Sequence, residues 1–346
     1  MEQREQATLY HNGNNADCLV GDTVYFPDPV IDRCQRRKDK VIIDNEKPPE
    51  IKVILQSGEN NYYEIGRHLR DTIYGYVYHA FELRLREDGV FIRTIPKRQV
   101  ALKVYNKEKI LQMRGKSQEN PILEFSAMQY IGQHPHIMSL LQCCEDIQSY
   151  YLIMDFIDGG ELLDLILEQP LPENIAKIYL KQILDGLNYL HNHGVAHRDM
   201  SLENVLFSQN GYTCKIIDFG MTIRIPYNEE TRSFMRIPPK ICGKKNYMAP
   251  EVVENARPYN PQLCDIWAIG VMLFIMITGC PPIDIAAPLD NRYLMLITGK
   301  LPVMLERWGL QVSPAALDLI QLILRPNPDD RPSIQQIADH PWFRIT

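Results

Sequence analysis

The sequence predicts an α+β protein in which a strand-rich part precedes a larger helical part. From Tyr62 onwards short apolar runs are typical of strands, and a long hairpin is predicted over residues 77–100. Residues 172–193 then carry apolar side chains at helical spacing, with a proline near the start and a glycine just after the end. The uncharged run 266–283 predicts another helix.

The composition excludes several classes of protein. A chain of 346 residues with 45% hydrophobic and 23% charged residues is typical of a soluble globular protein with one large or two medium domains. Its formal net charge of −6 argues against nucleic acid as the main partner. The run 266–283 is interrupted at Gly279 and by the prolines that follow, so we predict a buried core helix and no membrane span.

The eight cysteines show no paired C-x-x-C spacing, so neither a zinc site nor a secreted disulfide framework is predicted. The protein is therefore expected in a reducing compartment, where the cysteines remain free thiols. We expect a cytoplasmic location, with a nuclear one as the alternative.

Residues 1–61 are polar and irregular, and we predict a flexible N-terminal extension there. Two short apolar patches, 41–43 and 51–55, could dock on the folded part. The alternative is an autoregulatory or partner-binding segment. The folded domain is predicted over residues 62–343.

The most informative stretch is residues 195–220. A predicted hairpin, with strands at 205–207 and 214–217 and a turn at Asn210-Gly211, places two loops side by side. These loops carry three side chains with hard oxygen atoms: Asp199, Asn204 and Asp218.

The motif His197-Arg198-Asp199 followed by Asn204, and then Asp218-Phe219-Gly220, resembles the catalytic and metal-binding loops of eukaryotic protein kinases. The ending His340-Pro-Trp-Phe343 resembles the calcium/calmodulin- and AMP-regulated group of Ser/Thr kinases. The resemblance implies a bilobal protein kinase fold with a small β-rich N-lobe (62–154), a hinge (155–160) and a large helical C-lobe (161–343). It also implies ATP and Mg²⁺ as ligands and protein Ser/Thr side chains as substrates.

Within that resemblance, residues 69–77 match the loop that covers the ATP phosphates. The last of its glycines is present as Gly75, whereas Arg70 and Thr72 stand where the first two would be. Side chains there hinder positive φ and close backbone approach, so we expect differently organised phosphate contacts.

Lys103 closes an apolar strand and matches the lysine that binds the α- and β-phosphates. The ordinary alternative for such a lysine is a snorkelling side chain. Its glutamate partner is predicted to be Glu124. The alternative is Glu119, but Pro121 lies two residues after it and suits a first helical turn better than the middle of a helix.

The resemblance implies that the remaining ATP contacts come from Leu69, Gly75, Val77, Ala101, Met154, Asp155, Ile157, Glu161 and Leu206. Glu161 could instead be a solvated acid at a helix start.

Phosphoryl transfer needs an orienting carboxylate and neutralisation of phosphate charge. The resemblance assigns the first role to Asp199 and the metal-ligand role to Asn204 and Asp218. Ser/Thr kinases carry a lysine at the position of Ser201 and a threonine at the position of Lys244. We hypothesise that hydroxyl and ammonium have exchanged places, with independent drift in a degenerate enzyme as the alternative.

The predicted activity is therefore serine/threonine phosphorylation, and the alternative is a pseudokinase scaffold with weak or no phosphoryl transfer. Glu161 is expected to bind an arginine that precedes the accepting residue of the substrate, with a contribution from Glu203. The usual phosphorylation position of the activation segment falls near Lys240, where no side chain carries a hydroxyl. Arg198 is therefore predicted to pair with Glu229 or Glu230 instead of with a phosphate. No oligomeric state is predicted.

Overall fold

The computed structural model describes residues 24–43, 48, 50–211 and 213–344. They form two compact units. A strand-rich unit comprises residues 27–134 and 138–158, and a helical unit comprises residues 24–26, 135–137 and 159 onwards. The division at 158/159 falls inside the predicted hinge, and the mixed α+β class is confirmed.

Eight strands and two helices form the strand-rich unit: β1 Asp32–Ile42, β2 Glu50–Ser57, β3 Asn61–Thr72, β4 Gly75–Leu85, β5 Phe91–Arg93, β6 Gln99–Asn106, α1 Lys107–Met113, α2 Pro121–Ile131, β7 Leu140–Glu145 and β8 Ser149–Asp155. Strand pairing runs from β1 through β2, β3, β4, β6, β8 and β7 and returns to β1. The sheet therefore closes into a ring, which leaves fewer unpaired backbone groups than an open sheet.

The prediction that residues 1–61 form a flexible extension is wrong for β1 and β2. The two strands pair antiparallel over eight positions, from Cys34↔Ser57 to Val41↔Glu50. Ile54 and Leu55 of β2 are fully buried, whereas most of β1 is exposed. A strand that pairs through its backbone and exposes charged side chains shows no apolar alternation, so the sequence pattern concealed it. Residues 1–23 lie outside the described part of the chain.

The helical unit contains α3 Leu162–Glu168, α4 Glu173–Asn192, β9 Val195–Ala196, β10 Val205–Phe207, β11 Cys214–Ile216, β12 Ile223–Arg224, β13 Tyr227–Asn228, β14 Ser233–Phe234, α5 Pro250–Glu254, α6 Pro261–Thr278, α7 Asn291–Ile297, α8 Leu301–Trp308, α9 Pro314–Ile323 and α10 Ile334–Ala338. The predicted helix over 172–193 is α4, which Pro172 precedes as N-cap residue and Gly194 follows with φ 68°.

Helix α6 is, among the described residues, the one helix long and apolar enough to cross a membrane by length and composition alone. It packs against α4 and α9, and 83% of it is buried within the protein. Gly279 ends it with φ 77°. This is the environment of the buried core helix that the sequence predicts.

The hairpin of β10 and β11 is present, with Val205 opposite Ile216. Its connection is wider than the tight turn predicted, because Phe207↔Cys214 is the last pair and Gly211 has positive φ while Asn210 does not. The two loops that flank this hairpin are the ones that carry the predicted catalytic and metal-binding residues.

Candidate active site

The loop that carries Asp199 is held by a buried carboxylate of α6. Asp265 accepts the backbone N–H of His197 at 2.9 Å and that of Arg198 at 2.8 Å, and it also contacts His191 Nε2 at 3.0 Å. Arg198 adopts φ 66°, which costs a non-glycine residue free energy unless its surroundings enforce it. The two backbone hydrogen bonds to Asp265 provide that enforcement.

Asp199 follows directly, and its carboxylate is nearly enclosed. Asn204 Nδ2 donates to the Asp199 backbone oxygen and to Oδ2, each at 2.7 Å. The second carboxylate oxygen, Oδ1, is buried and has no hydrogen-bond partner among the described residues. Burial raises the pKa of Asp199, while the Lys244 ammonium, His197 and Asn204 act in the opposite direction. An unused, desolvated carboxylate oxygen is a suitable acceptor for a hydroxyl proton.

Lys244 and Ser201 meet at this carboxylate. Lys244 Nζ donates to Ser201 Oγ at 2.7 Å and lies 3.4 Å from Asp199 Oδ2. Ser201 is fully buried. The adjacent Gly243 has φ 89°, and a Cβ there would lie 2.8 Å from the Arg198 carbonyl oxygen, so a glycine allows the two loops to approach this closely. The structure thus brings together the three side chains on which the exchange hypothesis depends.

The two predicted metal ligands lie on neighbouring loops. The backbone N–H of Ile217 donates to the Asn204 carbonyl at 2.9 Å, and Asp218 follows with φ 67°. Asn204 commits its amide nitrogen to Asp199, so its side-chain oxygen is the atom suited to a cation. The Asp218 carboxylate also raises the pKa of Asp199, although burial is the larger cause. Hard oxygen donors from an Asn and an Asp fit magnesium.

In the strand-rich unit, Lys103 pairs with Glu124 and not with Glu119. Its ammonium lies 2.9 Å from both carboxylate oxygens of Glu124, which is buried on α2. Glu119 lies ahead of α2, whose N-cap is Asn120. The hydroxyl of Tyr105 also donates to the Glu124 carboxylate. Sequence reasoning missed Tyr105, although a residue two positions after Lys103 on a strand points to the same face.

The predicted nucleotide-binding residues are divided between the strand-rich unit and the helical unit. Val77 lies opposite Lys103, and Ala101 lies opposite Met154 across neighbouring strands. Leu69 and Gly75 belong to β3 and β4, Asp155 ends β8, and Ile157 follows that strand. In the helical unit Glu161 is the N-cap residue of α3, and it forms a β-bridge with Leu206.

The predicted pairing of Arg198 with Glu229 or Glu230 is wrong. Arg198 Nε instead donates to the buried thiol of Cys242 at 3.2 Å, while both glutamates are exposed in the connection between β13 and β14. The partner of Arg198 therefore depends on the loop geometry that directs its side chain inwards, and not on the nearest acidic residues in the sequence.

Glu251 and Arg331 form a buried ion pair. The guanidinium is fully buried and binds both carboxylate oxygens at 2.7 Å, with further bonds to the Leu263 and Arg325 carbonyls. This bidentate contact ties the segment after the Lys244 loop to the end of the helical unit.

A strand-rich unit with a buried Lys–Glu pair, and a helical unit with an enclosed Asp beside an Asn and a second Asp, are the components of a phosphotransferase of the protein kinase class. The chain belongs to the protein kinase domain family, whose model matches residues 91–343.

The chain is similar to several curated kinases. CBL-interacting protein kinase 1 of Oryza sativa subsp. japonica is 32% identical, over 82% of this chain and 56% of that protein. CBL-interacting serine/threonine-protein kinase 15 of Arabidopsis thaliana is 31% identical, over 82% and 61%. Sperm motility kinase 2B of Mus musculus is 34% identical, over 64% and 43%. The chain therefore spans roughly half the length of the curated relatives it matches.

Proposed function

We propose that this protein is an ATP-dependent serine/threonine kinase that transfers the γ-phosphate to protein hydroxyls. The observation that carries the proposal is the enclosed Asp199 carboxylate, which has one buried oxygen without a hydrogen-bond partner in the described part of the chain and stands beside Asn204 and Lys244. Membership of the kinase family and the names of the serine/threonine kinases to which the chain is similar support it.

Each residue has a defined task in this proposal. Asp199 accepts the proton of the incoming hydroxyl through Oδ1 and orients that hydroxyl. Lys103, held by Glu124, binds the α- and β-phosphates. Asn204 and Asp218 would hold magnesium, which supplies charge neutralisation for the phosphates when bound.

Lys244 takes the role that the lysine at the position of Ser201 has in other family members. Its ammonium is fixed by the Ser201 hydroxyl and the Asp199 carboxylate, so it is a preorganised cation at the site of transfer. A cation that is already in place costs no reorganisation when negative charge develops on the γ-phosphate. Independent drift would give no reason for a direct contact between the two substituted side chains.

We also propose that the substrate carries an arginine before the accepting residue, bound by Glu161 with a contribution from Glu203. Glu203 accepts the Tyr247 hydroxyl at 3.1 Å through Oε2. That bond orients a carboxylate next to the catalytic Asn204. In a peptide library, the preference of the enzyme for an upstream arginine should decrease in Glu161→Gln. It should stay unchanged in Glu168→Gln, an exposed position on α3.

The first test is phosphate transfer from Mg²⁺-ATP to a Ser/Thr peptide library by wild type and by Asp199→Asn. We expect transfer to fall by about 10²- to 10⁴-fold, the usual contribution of general base catalysis. Asp339→Asn, an exposed aspartate at the end of α10, should retain wild-type activity. A well-folded wild type that transfers no phosphate would favour the pseudokinase scaffold instead.

A further inference from the structure

The nucleotide loop, residues 69–77, is a paired hairpin almost to its tip. Arg70 lies opposite Val77, and Thr72 lies opposite Gly75, which leaves two residues to make the turn. A Cβ on Gly75 would come within 2.0 Å of the Val104 carbonyl oxygen, so this glycine serves the close approach of β4 to β6. Arg70 and Thr72, which stand at the positions of the first two glycines, lie in β3 just after a shift in its register against β4, and neither residue has a positive φ.

Tyr74 anchors the tip of this loop. It is 3% exposed, whereas its neighbours Ile73 and Tyr76 are 46% and 41% exposed. Its hydroxyl donates to the Glu119 carbonyl oxygen at 2.8 Å, and its own carbonyl accepts the Asn106 N–H at 2.9 Å. A side chain directed inwards from the tip thus fixes the loop to the residue that precedes the α2 cap.

Tyr105 continues the same contact. It is buried, and its ring centroid lies 6.2 Å from that of Tyr74. Its hydroxyl donates to Glu124, and its ring lies 5.2 Å from the Lys103 ammonium. The two tyrosines therefore connect the loop tip, the first turn of α2 and the Lys103–Glu124 pair.

We propose that Tyr74 and Tyr105 are positioning residues that hold the nucleotide loop and the Lys103–Glu124 pair in one fixed arrangement for the ATP phosphates. The contacts of these two side chains set the position of the loop, which in other family members depends on the backbone freedom of the glycines. The inference rests on the proposed function, because it takes ATP as the ligand. A role in packing alone would survive loss of the hydroxyl, since phenylalanine keeps the ring.

The test compares Tyr74→Phe, Tyr105→Phe and the double variant with wild type. In Tyr74→Phe we expect faster amide hydrogen exchange at Gly75 and Asn106, and a KM for ATP about five-fold higher, equivalent to about 1 kcal/mol for one net hydrogen bond. The value of kcat should change less than KM. In Tyr105→Phe we expect a lower kcat/KM for ATP, because Glu124 loses the hydrogen bond from the Tyr105 hydroxyl. Tyr78→Phe removes a hydroxyl from β4 just outside residues 69–77 and is the matched control.

The two side chains act together only if the double variant departs from the sum of the single effects. Unchanged exchange at Gly75 and Asn106 in Tyr74→Phe would overturn the inference, whatever the enzymatic activity. So would a lower melting temperature with unaltered exchange and KM. Faster exchange together with a wild type that transfers no phosphate would uphold the anchor and reject the proposed function.

Discussion

Lys244 and Ser201, whose side chains are 2.7 Å apart, make a direct contact beside Asp199. The pair joins the loop that carries Asp199 to the loop that precedes α5, and Lys244 also reaches the Asp199 carboxylate. Because each side chain is the other's partner, a change at one position alters the environment of the other.

This contact predicts a coupled response to substitution. Lys244→Thr should lower kcat by about 10²- to 10³-fold, since it removes one preorganised donor. Ser201→Lys should also lower kcat, because two ammonium groups would then compete for one buried carboxylate. The double variant restores one cation and one hydroxyl, so it should be more active than either single variant. Multiplicative losses in the cycle would show that the two positions drifted independently.

The raised pKa of Asp199 predicts how activity depends on pH. In the proposed mechanism Asp199 acts as the base and must be ionised, so kcat/KM should fall as the pH decreases through the pKa of Asp199. Lys244 lowers that pKa by favouring the carboxylate. Lys244→Met should therefore shift the acidic limb of the pH profile to higher pH. Lys245→Met, at an exposed neighbouring lysine, should leave the limb in place.

The same pKa predicts an effect on stability. A carboxyl whose pKa is higher in the folded than in the unfolded protein binds protons more readily when folded, so its ionisation destabilises the fold as the pH rises above the unfolded value. Asp199→Asn should consequently melt at a higher temperature than wild type at pH 7.5. The difference should diminish towards pH ~4, where aspartate in the unfolded chain is protonated. A variant less stable than wild type across this range would contradict the prediction.

The buried pair of Glu251 and Arg331 predicts a large loss of stability when one partner is removed. Glu251→Gln leaves the guanidinium buried without its carboxylate, which typically costs about 3–5 kcal/mol. Urea unfolding of the helical unit should show the loss. Asp329→Asn is the control, because its ion pair with Arg236 is exposed and such pairs contribute about 0–1 kcal/mol. Equal effects of the two substitutions would contradict this interpretation.

Closure of the sheet by β1 and β2 predicts that core residues lie ahead of residue 62. Leu55 is fully buried and packs with Tyr63, Val104 and Tyr151, so Leu55→Ala should cost about 2–5 kcal/mol. Ile51, on the same strand, is 70% exposed, and Ile51→Ala should change the free energy of unfolding by under about 0.5 kcal/mol. Similar urea midpoints for both variants would mean that β2 does not contribute to the folded core.

Much of the candidate site was predictable because its residues are close in the chain. Asp199, Asn204 and Asp218 flank one short hairpin, and hairpin formation depends on local strand and turn propensities. Resemblance to the kinase motifs, and not periodicity, connected these residues with Lys103 and Lys244. Helix α4 was predictable from apolar spacing and from the proline and glycine that bound it, and α6 from an uncharged run that ends at Gly279.

By itself, the sequence determined the α+β class, the helices with a clear apolar period and the loops that carry the catalytic motif, since each depends on neighbouring residues. Only the tertiary structure decided the place of β1, the capture of Arg198 by Cys242 and the anchoring of Tyr74 at Glu119. A charged strand such as β1 joins a sheet through backbone hydrogen bonds, which leave no pattern in the side chains. Contacts between residues distant in the chain depend on how the elements pack, and local propensity does not specify that packing.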